Sequence, residues 1–149
     1  MPGSLLLIAG PVFSGKSEVA RQAIEDGEAD LLFEYTALWA ATRAVKRDAK
    51  GRYPVRADDD AFNREGFGSA LVSAGVGAAL ERSLRVIVSS SKRNAAADWQ
   101  PVAAQYDAAF SVRLIDPGET VIDARIVAAG DEEECVKAYR RWNRGYRRR

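Results

Sequence analysis

Short apolar runs alternate along the chain with longer amphipathic stretches. Ser4–Ala9, Asp30–Glu34, Leu84–Ser89 and Phe110–Ile115 are each short, largely apolar and bounded by turn-forming or charged residues. Runs of that kind are expected of strands buried on both faces of a parallel sheet. Helical patterns lie between them. Lys16–Asp26 places Val19, Ala20, Ala23 and Ile24 on one face, and Gly27 follows as a natural C-cap. Further helices are expected over Tyr35–Arg47, Ala61–Arg82, Ala95–Ala108 and Cys135–Arg148. The second of these is weakened by Gly66, Gly68, Gly75 and Gly77, and Pro101 is placed to start a second, shorter helix within Ala95–Ala108. Asp116 as N-cap and Pro117 as first helical residue predict a helix over Pro117–Ala128. The alternation predicts βαβ units. The expected fold is α/β, a doubly wound, mainly parallel sheet of four to five strands with helices on both faces and right-handed crossovers.

No internal repeat and no linker rich in Gly, Ser and Pro divides the pattern, so residues 1–149 read as one domain with a basic C-terminal helix or tail over 135–149. The longest loop is Asp48–Asp60. With 47% hydrophobic residues in 149, a real core is available. The longest apolar runs, Leu5–Ala9 and Ala37–Ala41, fall far short of the ~20 residues of a membrane span. Met1-Pro2-Gly3-Ser4 lacks the basic start of a signal peptide. Cys135 is the single cysteine, which leaves no internal disulfide and suits a soluble, cytoplasmic protein of a reducing compartment. Histidine is absent. Ser-His-Asp triads, imidazole acid–base chemistry, His-bearing zinc sites and four-thiolate clusters are therefore excluded. Catalysis is left to Lys, Arg, Asp, Glu, Ser, backbone dipoles and a hard metal ion.

The densest chemical signal is Gly10-Pro11-Val12-Phe13-Ser14-Gly15-Lys16-Ser17, which fits G-x-x-x-x-G-K-[ST] at every fixed position. Its setting is right as well, with a buried strand leading in and an amphipathic helix leading out. The glycines let the backbone curl so that successive N–H groups face a phosphate chain, and the following helix adds its positive dipole end. Lys16 would reach the β- and γ-phosphates and Ser17 would ligate Mg²⁺, making Gly10–Ser17 the candidate ATP site.

The octet and its flanks resemble the P-loop NTPase superfamily, and the small size resembles its kinase branch; no N/T-K-x-D guanine motif occurs. Thr36–Ala41, Gly51–Arg56, Ile115–Glu119 and Ala138–Trp142 resemble phage-encoded P-loop proteins related to zeta-toxin-like and polynucleotide-kinase-like enzymes. The resemblance implies ATP and Mg²⁺ as cofactors. It also implies an acid at the end of the second strand that meets the acceptor hydroxyl. Glu34 holds that place, where it could accept the proton or simply favour the dipole of the helix that follows. It implies a lid arginine, for which Arg125 matches by position; the plain reading is a solvent-facing helix charge. Asp58, Asp59 and Asp60 could hold Mg²⁺ or substrate, or form a solvated helix start. One departure is plain. Leu84–Val88 ends in Ser89-Ser90-Ser91, where the Walker B pattern has Asp or Glu.

From Lys137 to Arg149 there are seven basic residues and no acid, although the net charge of the chain is only +1. Arginines interleaved with Tyr139, Trp142 and Tyr146 suit phosphates and unpaired bases, with Arg144, Arg147, Arg148 and Arg149 the candidate contacts to nucleic acid or to an acidic protein surface. Cys135, Ala138, Tyr139, Trp142 and Tyr146 also share helical spacing, as a stripe packed on the core would. Two function classes stay open. One is a kinase-like enzyme that moves a γ-phosphoryl group from a nucleoside triphosphate to a nucleotide, nucleic-acid end or other hydroxyl. The other is a nucleotide-binding assembly protein, for example of a phage head and then virion-associated, with little or no turnover.

Overall fold

Strand β1 (Ser4–Ala9) lies between two parallel neighbours, and its side chains are buried on both faces. The computed structural model describes residues 2–53 and 60–147. β3 (Arg85–Ser90) flanks β1 on one side and β4 (Ala109–Leu114) on the other. β2 (Leu31–Glu34) pairs with the far side of β3, giving the order β2-β3-β1-β4 with every pairing parallel. The expected sheet is present with four strands among the described residues.

The pleat sorts the core into two layers. Leu5, Leu7, Val86 and Val88 point to one face, beneath α4 (Phe67–Glu81) and α5 (Ala95–Gln105). Ile8 and Ile87 point to the other and meet Ala20 and Ala23 of α1 (Lys16–Glu25). The chain leaves β1 toward β2 and leaves β3 toward β4, in opposite directions. Right-handed crossovers then place α1 and α5 on opposite faces. The carboxyl ends of β1 and β3 flank the point where the winding reverses, which is where open α/β sheets hold ligands.

Several helices differ from the pattern read off the sequence. α2 stops at Thr42 (Tyr35–Thr42), five residues before the expected end. The Ala61–Arg82 stretch is broken into α3 (Asp60–Asn63), a 3₁₀ turn (Arg64–Gly66) and α4, with Glu65 and Gly66 both at positive φ. Pro101 sits within one continuous α5 and starts no second helix. Pro117 also lies outside its helix: α6 runs Glu119–Ala129, because Asp116 accepts the Gly118 N–H at 3.0 Å and is bound by Arg147 instead of capping. α7 spans Glu133–Arg147. The Asp58-Asp59 pair, Pro54–Arg56, Arg148 and Arg149 lie outside the described residues. Among the described residues no helix is long and apolar enough to cross a membrane.

The glycines that weaken α4 on paper serve packing. A Cβ on Gly75 would lie 2.6 Å from the Phe33 ring, and one on Gly77 would lie 2.8 Å from the Tyr106 hydroxyl. Bare backbone at these turns lets aromatic side chains from β2 and the α5–β4 connection lie flush on the helix. Gly145 in α7 has open space around it. Gly75→Ala should therefore destabilise the protein by about 1–3 kcal/mol, because overpacking outweighs the gain in helix propensity. Gly145→Ala should be neutral or stabilise by up to ~1 kcal/mol. Urea unfolding of both variants followed by circular dichroism checks the contrast.

Candidate functional site

The Gly10–Ser17 loop begins where β1 ends, and its entry is fixed by close backbone contact. The Gly10 N–H donates to the Ser90 carbonyl at 3.3 Å. A Cβ at Gly10 would overlap the Ile115 carbonyl oxygen and approach Ser14 Oγ at 2.7 Å, so only glycine fits there. Gly15, at φ +94°, turns the chain into α1, and no side chain caps that helix. The first N–H groups of α1 consequently have no side-chain partner and lie at the positive end of the helix dipole. Phe13 also holds a left-handed backbone conformation, φ +67°, which is uncommon for a bulky residue. Its ring is held from outside by the Tyr139 ring, edge to face at 4.8 Å, with the Arg52 guanidinium 5.9 Å from its centroid.

Four of the expected functional side chains meet at this loop. Lys16 Nζ donates to the Pro11 carbonyl at 3.3 Å and is largely withdrawn from water. Burial lowers its pKa to about 8, against the opposing pull of the nearby Glu34 carboxylate. Ser17 Oγ donates to Glu34 Oε2 at 3.0 Å, so the end of β2 meets the start of α1. Arg125, on α6, donates from Nη1 to the Phe13 carbonyl at 3.1 Å, and the same nitrogen is 3.5 Å from where a Gly15 Cβ would stand. Lys16, Ser17, Glu34 and Arg125 thus surround one loop from α1, β2 and α6.

The donor set fits a magnesium triphosphate. A desolvated ammonium with a single carbonyl partner is a group that an anion would complete. Ser17 Oγ and Glu34 Oε2 form a pair of hard oxygens, and Mg²⁺ takes few protein ligands, keeping waters and phosphate oxygens for the rest. β3 does end in serines, as the sequence indicates, and Ser90 Oγ is engaged by the Lys92 N–H at 3.1 Å. Among the described residues no group of three or more acidic, Cys or His side chains is arranged to hold a metal.

Other contacts at the loop were not legible in the sequence. Asn143, buried on α7, accepts the Val12 N–H at 2.7 Å and donates to the Val12 carbonyl at 2.9 Å, closing a two-point clamp on the loop. Its only sequence signal is one polar residue four positions after Tyr139 on the packed face of an arginine-rich helix. Arg52 makes two bonds to Asp131, 2.8 and 2.6 Å, and Tyr139 donates to the same carboxylate at 3.2 Å. The guanidinium holds the Asp131 carboxyl below its ordinary range, while burial and that carboxylate push the Tyr139 hydroxyl up to about 12. This cluster ties the segment after α2 to the α6–α7 turn, and Lys50 adds a bond to the Ala129 carbonyl.

The basic tail is less free than its sequence suggests. Arg147 is bound to Asp116 through two bonds, 2.8 and 3.0 Å, which fasten the end of α7 to the β4–α6 connection. Arg144 is exposed with no partner among the described residues. The aromatic stripe splits as well. Tyr139 is buried against Ile122 and Ile126, whereas Trp142 is 43% exposed.

No protein-family model and no curated protein sequence matches the chain. Solved structures do. A chain of the Pnkp1/Rnl/Hen1 RNA repair complex superposes with a TM-score of 0.65 at 19% identity, over 97% of this chain and 45% of that one. Shikimate kinase from Acinetobacter baumannii gives 0.53 at 14% identity, over 94% and 74%. A gluconokinase from Sinorhizobium meliloti 1021 gives 0.52 at 17% identity, over 95% and 74%. The chain spans less than half the length of the RNA-repair chain that it matches. At these identities the likeness concerns architecture: the chain has the P-loop kinase-like fold.

Proposed function

We propose that this protein binds Mg·ATP at Gly10–Ser17 and transfers the γ-phosphoryl group to a hydroxyl acceptor. The observation that carries the reading is the meeting of Lys16, Ser17, Glu34 and Arg125 around one anion-ready loop. In the reaction the acceptor oxygen forms a bond to the γ-phosphorus, the bond to the β–γ bridging oxygen breaks, and the hydroxyl proton passes to a carboxylate. Glu34 is that base: Oε2 is held by Ser17, and Oε1 makes no hydrogen bond among the described residues. Lys16 and the N–H groups of the loop hold the phosphates, and Arg125 leaves the Phe13 carbonyl to meet charge developing on the transferred group. Ser17, next to Glu34, would hold the magnesium ion, which would supply charge neutralisation. Placing the acid on β2 answers the absence of one at the end of β3.

The acceptor class stays broad, from a small hydroxyl compound to a nucleic-acid 5′ end, for which exposed Arg144 would add phosphate affinity. A second reading, a nucleotide-binding assembly protein with little turnover, is favoured by the serine ending of β3. Glu34→Gln separates the two. ATP binding should survive, and phosphoryl transfer to a panel of nucleosides and 5′-hydroxyl oligonucleotides should fall at least about tenfold, a cautious bound on the ~10²–10⁴ of general-base help. A wild-type protein that binds ATP and phosphorylates nothing supports the assembly reading. Lys16→Ala should abolish ATP binding while circular dichroism stays unchanged.

Lys16 also gives the donor site a pH signature. The unfolded chain holds this proton up to the ordinary lysine value of 10.5 and the folded one only to about 8. Between those values the unfolded state binds more protons, so the burden of burying this group falls as pH rises and disappears from the slope below about 8. Phosphate favours the charged amine, so ATP affinity should weaken above about pH 8, by at most about tenfold per unit. Titration calorimetry at pH 8.5 in buffers of different ionisation enthalpy should show net proton uptake on ATP binding. No uptake would mean that the amine is already charged in the free protein.

A further inference from the structure

β4 is an edge strand among the described residues, and it carries none of the usual protection. It has six residues, Ala109–Leu114, with no proline and no bulge in its register against β1. Its one charge, Arg113, is engaged by Glu28 at 3.2 Å, on the α1 side of the sheet. Natural edges of this length are ordinarily blunted by charge, proline or a bulge. Here Val112 and Leu114 are instead 42% and 71% exposed.

The hydrogen-bond phase of β4 defines what can pair with it. The N–H groups of Ala109 and Ile115 donate to Gly3 and Ala9 carbonyls across the β1 boundary. In a parallel strand the N–H and C=O of one residue point to the same side, and successive residues alternate. Odd-numbered residues therefore serve β1, while Phe110, Val112 and Leu114 present both backbone groups outward. Their side chains share the register of Leu5, Leu7 and Ala9 and so lie on the face that carries α5.

We infer that two copies of this chain associate through β4, antiparallel about a two-fold axis at Val112, to form one continuous eight-stranded sheet. This register pairs Val112 with itself and Phe110 with Leu114 of the second copy, using every outward amide and carbonyl of the three residues. It joins the two exposed apolar rows on the α5 face. On the opposite face it sets Arg113 across from Ser111, so no like charges oppose. Helix spacing agrees. α5 lies over β1 and β4 alike. Two such helices related by the axis stand about two strand spacings apart, ~9.6 Å, within the 8–10 Å at which helices pack. A shift by one residue would leave outward amides unpaired and turn apolar side chains against Ser111 and Arg113.

Sedimentation equilibrium of the full chain should give twice the protomer mass. In a Cys135→Ser background, Val112→Cys should cross-link to a covalent dimer under mild oxidant, since a hydrogen-bonded antiparallel pair sets Cα atoms ~5.5 Å apart, within disulfide reach. Ser111→Cys, out of reach of its own copy in this register, should not. Val112→Pro removes an N–H that faces away from β1, a position where an edge strand tolerates proline, and should yield a folded monomer. Leu114→Lys should do the same through the side chain, and it carries the test should the proline variant fail to fold. A monomeric wild type, or a dimer that Val112→Cys does not trap and Leu114→Lys does not dissociate, overturns the inference.

Discussion

Burial of β1 on both faces is the constraint from which the rest of the site descends. A strand flanked by β3 and β4 and covered by α1 and α5 cannot bend or slide without exposing Leu5, Leu7 and Ile8, each at most 1% exposed. Its last residue, Ala9, is therefore fixed in height and direction. The loop after it must turn within a few residues beside Ser90 and Ile115, the neighbouring strand ends. That confinement explains glycine at position 10, where carbonyl and hydroxyl oxygens leave no room for a Cβ. It also explains why α1 starts with its amides directed at the space above the sheet. The geometry of the loop is a by-product of how a parallel sheet stops.

The electrostatics are set by what this confinement removes. Lys16 is drawn out of water by the same packing, and the carboxylate that pulls on its charge, Glu34, already serves Ser17. A cation with half a partner and helix amides without caps leave the loop short of negative charge. The Arg125 bond to the Phe13 carbonyl is a holding contact of the same kind, one that a better acceptor can displace. The loop is thus prepared by unmet electrostatic demand more than by shape.

Much of this was legible in the sequence, and the part that was not has a common cause. β1 was read to the residue, and the other strands to within one, because buried parallel strands leave unbroken apolar runs. Gly10–Ser17 was legible because its chemistry is local, each residue acting through its own backbone or side chain. Glu34 and Arg125 were placed by analogy of position, and their approach to the loop needed the fold. Asn143 and the Arg52–Asp131 pair were invisible: each depends on a partner more than seventy residues away, and neither leaves a periodic trace. The helix ends at Thr42 and Glu119 were misjudged where side chains overrode propensity. Asp116 looks like an N-cap until Arg147 arrives to claim it.

The Asn143 clamp has a consequence for the order in which the molecule is made. Val12 leaves the ribosome ahead of the residue that fastens it, which is 131 positions later. Until α7 has been synthesised and has docked, the sheet can assemble while the loop lacks its outer wall. Contacts of such sequence separation form late, after the loop-closure entropy of everything between has been met. Nascent chains would then pass through a stage with the architecture in place and the Gly10–Ser17 loop unset. On the proposed function, nucleotide capture would then wait for α7 to dock, which would make binding a mark of long-range closure as much as of local folding.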